Sequence, residues 1–428
     1  MPCMPSSGWI STSSFLFHVP KKAGGHPRTV IAILAVCVLG ISAWGGYRLM
    51  GRLIPEVDRA EAAVPVARPP VVVVEALPQL SERLRREGDA GRFMGAVLVA
   101  RGDKVLFRQA YGLANHESGQ PLALDAKFRL ASISKQFTAA AVLKLQDQGK
   151  LTVNDPVCQW IQPCPAAWAP LKLGHLMSHT SGMPDIMAQA QWGLIRVTPR
   201  TKQELTDTSA QYGLSYVPGS KIRYNNAGFN LLTQVVEKAS GTSFEAYLQD
   251  EFFTPLGMTN TGSDADGQAT DLVMGYANFP GGLTPQPLAN VSVVVGAGAL
   301  YSSLDDLLTW NRALHNGKVL SDFSYAQMIS NHSPADQPNE RGRPPRTWGY
   351  GIFVNSLGER VQPAFSDRQI YHTGSWAGFR NLATYEPKSD TTVVVLGNNY
   401  HQREQVFLIS QQAMAEALGY PFPQAGRE

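Results

Sequence analysis

The segment RLASISKQFT, Arg129 to Thr138, sets Ser132 three residues before Lys135. Residues at i and i+3 lie one turn apart on one helix face, so an amine there can reach back to a hydroxyl. A helix N-terminus adds unpaired N–H groups and the positive end of the helix dipole. That field stabilises an alkoxide and lowers the pKa of a nearby lysine, as a base working near neutral pH requires. Ser132 is therefore a candidate nucleophile and Lys135 its activator. The spacing is weak evidence by itself. The chain has thirteen lysines, and with serine at roughly 7% of residues about one such pair arises by chance. Lys135 is the one lysine with a serine at i−3. Ser134 is the competing hydroxyl, but it projects from a different helix face than Lys135.

Two further stretches supply partners. VPGSKIRYNNAGFNLL places Tyr224 and Asn226 in a turn after Pro218-Gly219, ahead of a helix. The phenol could exchange a proton with a serine oxygen if nearby cations lower its pKa, and the amide could hold a substrate carbonyl. The same residues would also serve an ordinary turn with capping duties. IYHTGSWAGF carries His372-Thr373-Gly374-Ser375 at the end of a strand. Gly374 has no side chain, which lets a substrate backbone come close. The N–H of Ser375, with that of Ser132, could form a two-donor oxyanion hole. An ordinary strand ending in a Gly turn is the plainer alternative.

In that order, Ser-x-x-Lys, Tyr-x-Asn and His-Thr-Gly resemble the penicillin-recognising serine hydrolases, and above all the branch related to class C β-lactamases, which includes D,D-peptidases and esterases. The resemblance spans Leu77 to Gly419, supported by LTVNDPV, LMSHTSGMPD, TPLGMTNTG and GAGALYSSLDDLLTW. It implies that Ser132 forms an acyl-enzyme that water then releases. Lys135 and Tyr224 would share the general-base and general-acid roles, with the division between them open. Asn226, His372, Thr373 and Gly374 would contact substrate, and the N–H groups of Ser132 and Ser375 would hold the oxyanion. No cofactor or metal is implied. A penicillin-binding sensor that acylates without efficient turnover is the alternative reading. One departure bears on substrate. Class C β-lactamases carry lysine where His372 stands, and that lysine is a fixed positive charge for a β-lactam carboxylate. A histidine of ordinary pKa is largely neutral at pH 7. The expectation is therefore a peptidase or esterase rather than an efficient β-lactamase, with Arg380 a possible alternative source of charge.

These residues need a scaffold. RFMGAVLVARGDKVLFRQAYGLAN alternates around Gly102-Asp103 and reads as a hairpin, preceded by a short helix at SERLRREG. Ser132 to about Gln148 reads as a helix buried on most sides, stopping at Gly149. From Leu151 to about Asn290 helical stretches alternate with Gly/Pro loops. A helix with a capping box at Ser303 and Asp306 follows and stops at Asn316-Gly317. Strands return in WGYGIFVN, QIYHTGSW, GFRNLATYEP and TTVVVLGNN, and a last helix covers about Gln402 to Leu418. Strands at both ends around a helical middle predict an α/β (α+β) fold. One antiparallel sheet would be flanked by the N- and C-terminal helices, with an inserted all-helical lobe and the site in the cleft between. The resemblance implies the same β-lactamase/transpeptidase-like arrangement.

Charge narrows the partners. The net charge of +3 lies wholly in the first 75 residues, which hold seven Lys/Arg and four Asp/Glu and leave thirty of each beyond. The globular part has no basic excess, so nucleic acid is not expected as a partner; a small molecule or peptide is. After a leader, residues 1–28, the segment 29–47 contains the uncharged run Val30–Tyr47. At 1.5 Å rise its eighteen residues span about 27 Å, close to the hydrocarbon thickness. It reads as a transmembrane signal anchor or a cleaved signal peptide, and either places the domain 77–428 in the cell envelope or outside the cell. Residues 48–76, rich in proline, read as an extended tether. If the domain is exported, Cys158 and Cys164 are candidates for a disulfide. His175 and His179 have metal-like i,i+4 spacing, but Leu176 stands where H-E-x-x-H has its base, so a packed or turn-stabilising role is expected for His179.

Overall fold

Residues Gly95–Arg101 (β1) are buried at every position but the last. A strand apolar throughout must be covered on both faces. Ala96, Leu98 and Ala100 enter one hydrophobic core, and Val97 and Val99 enter another. The computed structural model, which describes residues 76–286, 290–334 and 347–424, shows what covers them.

β1 turns at Gly102, where φ is +51°, into Lys104–Tyr111 (β2). The later strands are Thr347–Trp348 (β3), Phe353–Asn355 (β4), Gln369–Trp376 (β5), Phe379–Glu386 (β6) and Thr391–Gly397 (β7). They form one antiparallel sheet in the order β3-β4-β5-β6-β7-β1-β2. The two ends of the chain meet in its middle, where β1 pairs with β7 from Gly95↔Gly397 to Arg101↔Thr391. β4 pairs with β5 only from Gln369 to Tyr371, which leaves the edge of β5 beyond Tyr371 facing the site.

Helices Pro78–Asp89 (α1) and Arg403–Leu418 (α5) cover one face. Ser134–Asp147 (α2) and Leu304–His315 (α4) lie with the other core, joined there by Ala227–Ser240 (α3). Phe137 of α2 stacks on Trp310 of α4 with ring centroids 4.0 Å apart. The sheet with its flanking helices is the arrangement expected from the sequence. The inserted part carries more than helices, however. Short strands Phe128–Arg129, Gly262–Ser263 and Leu300–Ser302 form a small sheet, and Tyr276–Phe279 pairs with Gly282–Pro285. Pieces of two to four residues are too short for an alternation to show.

The Ser303 cap is one-sided. Its hydroxyl accepts the Asp306 N–H at 3.3 Å, while the Asp306 carboxylate accepts from Asn260 N and Thr261 Oγ1, each at 2.8 Å. Cys158 and Cys164 are joined by a disulfide. The leader, the apolar run Val30–Tyr47 and the tether up to residue 75 lie outside the described residues. Among the described residues no helix is long and apolar enough to cross a membrane.

Candidate active site

The chain enters the site under strain. Ala131 has φ +51°, a left-handed conformation costing a non-glycine residue about 1–2 kcal/mol. A single turn of 3₁₀ helix, Ala131–Ile133, follows and runs into α2. Ser132 therefore sits at the helix entrance and lines a cleft of about 340 Å³. The segment before it is pinned from both sides. Leu130 N donates to Leu300 O at 2.8 Å, and Asn381 Nδ2 donates to Arg129 O at 2.9 Å. Ser134, the competing hydroxyl, is buried and accepts the Leu300 N–H at 3.2 Å, a structural duty.

Lys135 is fully buried beneath Ser132. Its Nζ donates to Ser132 Oγ at 3.2 Å, to Asn226 Oδ1 at 2.9 Å and to the Ala297 carbonyl at 2.8 Å. Burial lowers its pKa to about 7, against the opposing pull of the Asp185 carboxylate. A neutral amine can keep two N–H bonds, to Asn226 and Ala297, and direct its lone pair at the Ser132 hydroxyl. That is the geometry of a general base.

Tyr224 also hydrogen-bonds Ser132, and its ring centroid lies 4.8 Å from Lys135 Nζ. Its pKa moves opposite to the sequence-based expectation. Burial carries it well above the ordinary phenol value of 10, and the bond to Ser132 only partly offsets this. The phenol stays protonated, so it is equipped to donate rather than to accept.

Asn226 borders the cleft, but its amide hydrogens are engaged. Nδ2 donates to Asp185 Oδ2 at 3.0 Å and approaches Met187 Sδ at 3.2 Å. The β5 motif needs two corrections. The His372 ring, expected to contact substrate, is 1% exposed and does not line the cleft. It stacks on Phe353 at 4.8 Å, and its Nδ1–H donates to the Thr373 carbonyl at 2.6 Å. Burial, then the Lys135 charge, push its pKa down to about 3, so the ring is neutral. Gly374 makes room for the protein itself, because a Cβ there would collide with the Leu130 carbonyl oxygen. That close approach brings Ser375 beside Ser132, and both line the cleft together with Thr373.

Met187, Val294, Trp348, Phe353 and Trp376 make the walls apolar, and no Lys or Arg side chain lines the cleft among the described residues. Arg380 donates its Nε to the Tyr400 carbonyl at 2.7 Å and, with Arg360 and Arg403, lines a neighbouring recess that meets the cleft at Phe353 and Thr373.

Sequence reasoning missed the loop that seats the Tyr-x-Asn turn. His179, at φ +62°, stacks on Tyr224 at 4.5 Å, and its Nδ1 accepts the Asn225 N–H at 3.1 Å. Its carbonyl accepts from Arg223 N at 3.0 Å, and Met183 O accepts from Asn225 Nδ2 at 2.6 Å. The packed, turn-stabilising role expected for His179 is what these contacts describe. LMSHTSGMPD was visible as a motif, but nothing in its pattern points across some forty residues to Tyr224.

The family model for β-lactamase matches residues 79–413. The chain belongs to the β-lactamase family. A penicillin-binding protein of Bacillus subtilis (strain 168) is 27% identical over 352 residues, covering 78% of this chain and 74% of its own length. The D-aminopeptidase of Gluconobacter oxydans (strain 621H) is 27% identical over 340 residues, 77% of this chain, and the chain spans 59% of its length. The solved D-amino acid amidase of Ochrobactrum anthropi SV3 superposes with a TM-score of 0.68 at 20% identity, covering 80% of this chain and 99% of that one, a likeness of fold. This β-lactamase-family chain is thus a hydrolase of the serine type, related to a penicillin-binding protein and a D-aminopeptidase.

Proposed function

We propose that the chain is an envelope-anchored serine hydrolase that cleaves esters or amides of uncharged acyl groups through an acyl-enzyme on Ser132. The observation that carries the reading is the contact of a fully buried Lys135 Nζ with Ser132 Oγ. As Oγ attacks the carbonyl carbon, its proton passes to neutral Lys135. The N–H groups of Ser132 and Ser375 receive the oxyanion. Tyr224 gives its proton to the leaving group as the scissile bond breaks, and the proton held by Lys135 then restores the Tyr224 phenol, leaving the amine neutral again. Water, deprotonated by the same pair, then releases the acyl group. Apolar walls and a neutral His372 support an uncharged substrate over a β-lactam carboxylate. The apolar run Val30–Tyr47 and the Cys158–Cys164 disulfide support an oxidising, exported setting with the membrane as anchor.

The test compares wild type and Ser132→Ala on a short-chain nitrophenyl ester, a chromogenic cephalosporin and a D-Ala-D-Ala peptide. Turnover should be fastest on the ester and vanish with covalent labelling in the variant. Wild-type turnover of any of the three by Ser132→Ala would sink the mechanism. A labelling burst with no steady-state release would replace turnover with penicillin sensing.

A further inference from the structure

We propose that Asp185 is a positioning residue of this site: its carboxylate locks the Asn226 amide in the orientation that presents an oxygen to Lys135, and so sets how readily Lys135 takes the Ser132 proton. The proposal rests on the reading of Ser132 as nucleophile and Lys135 as base.

The carboxylate meets Asn226 twice. Oδ1 accepts the Asn226 backbone N–H at 3.1 Å and Oδ2 accepts Nδ2 at 3.0 Å, while Met187 N–H also donates to Asp185. A side-chain amide carries donors on one side and an acceptor on the other. With the nitrogen held by a carboxylate, the oxygen must face Lys135 Nζ, 2.9 Å away. A flipped amide would set N–H against N–H and remove one of the three acceptors around Nζ. Carboxylate, amide, amine and hydroxyl thus form an unbroken run from Asp185 to Ser132.

The groups facing Lys135 make Asp185 the decisive charge. His179 from the loop and His372 from β5 are held neutral by burial, and the Tyr224 phenol stays protonated. Among the described residues Asp185 supplies the charge that opposes the effect of burial on Lys135. A hydrogen bond to an anion also polarises the amide, making its oxygen a better acceptor. Removing the carboxylate need not unseat the turn. His179 and Met183 hold Arg223 and Asn225 by three other hydrogen bonds.

The experiment uses the full chain with Asp185→Asn, which keeps the shape, and Asp185→Ala, which removes it. For each, kcat/KM on a neutral ester is followed from about pH 5 to 10, with the rate of Ser132 labelling by a fluorophosphonate and the melting temperature. Loss of the charge should move the acid limb down by about one pH unit in both variants. The plateau should fall about tenfold, because a weaker base transfers the proton less readily. A purely structural role would lower the melting temperature and leave the limb in place. An acid limb unmoved in both variants overturns the proposal. A wild-type protein that neither labels at Ser132 nor turns over would instead bring down the mechanism on which it rests.

Discussion

In the proposed mechanism Lys135 and Tyr224 divide the proton work by the directions in which burial moves them. An ammonium loses its proton more easily out of water, and a phenol keeps it. With Lys135 near 7, kcat/KM should rise tenfold per pH unit up to about pH 7 and then level. Because Tyr224 is pushed above 10, its ionisation should cause no decline below that pH. A pH–rate profile checks both, and an acid limb near pH 10 would show that burial does not lower the Lys135 pKa. Tyr224→Phe should cut kcat by about 10²- to 10⁴-fold with little change in KM, as loss of a general acid does. The residue types of the site were legible because three motifs with wide spacing occur in one order. The electrostatic role of Tyr224 was not, since its shift depends on its neighbours in space. His372 shows the same limit: its identity was plain, but only the Phe353 stack reveals that it faces inward.

At the scale of elements, the site is a junction of three segments. The 3₁₀ turn Ala131–Ile133 brings Ser132 and α2 brings Lys135, the turn before α3 brings Tyr224 and Asn226, and the free edge of β5 brings Ser375. One tight joint is Gly374 against the Leu130 carbonyl. Gly374→Ala must push β5 away from the Ser132 segment. Overpacking of this kind costs about 1–3 kcal/mol, and the shift separates the two proposed oxyanion donors. The melting temperature should drop by a few degrees, and kcat should fall further than the folded fraction explains. Unchanged kcat with a lowered melting point would show that the donors do not depend on this contact. The long elements were legible from periodicity: the hairpin at Gly102-Asp103, α2, and the late strands. The strands of two to four residues were not, and neither was the loop from His179 to Asp185, whose hydrogen bonds to the Tyr-x-Asn turn cross more than forty positions of chain.

For the whole molecule, buried histidine ties stability to acidity. His372 is neutral in the fold, with its pKa lowered from 6.5 to about 3. The unfolded chain takes up this proton below pH 6.5 and the folded chain does not. Stability from this group is complete above that pH and drains away as the pH falls towards 3, reaching a loss of about 2 kcal/mol by about pH 5. Urea unfolding at the two pH values should show it, and His372→Asn should flatten the difference. An equal pH dependence in the variant would assign the loss to other groups. The overall architecture was legible because strands at both ends of the domain bracket a mainly helical middle. The pairing of β1 with β7 has a kinetic meaning beyond its geometry. Residues 95–101 find their partners at 391–397, so the central ladder cannot close until residue 397 has been synthesised. Contacts of such long sequence separation fold slowly and late. The central sheet of a nascent chain thus stays incomplete until β7 is made, and covalent labelling of Ser132 during refolding would time its closing.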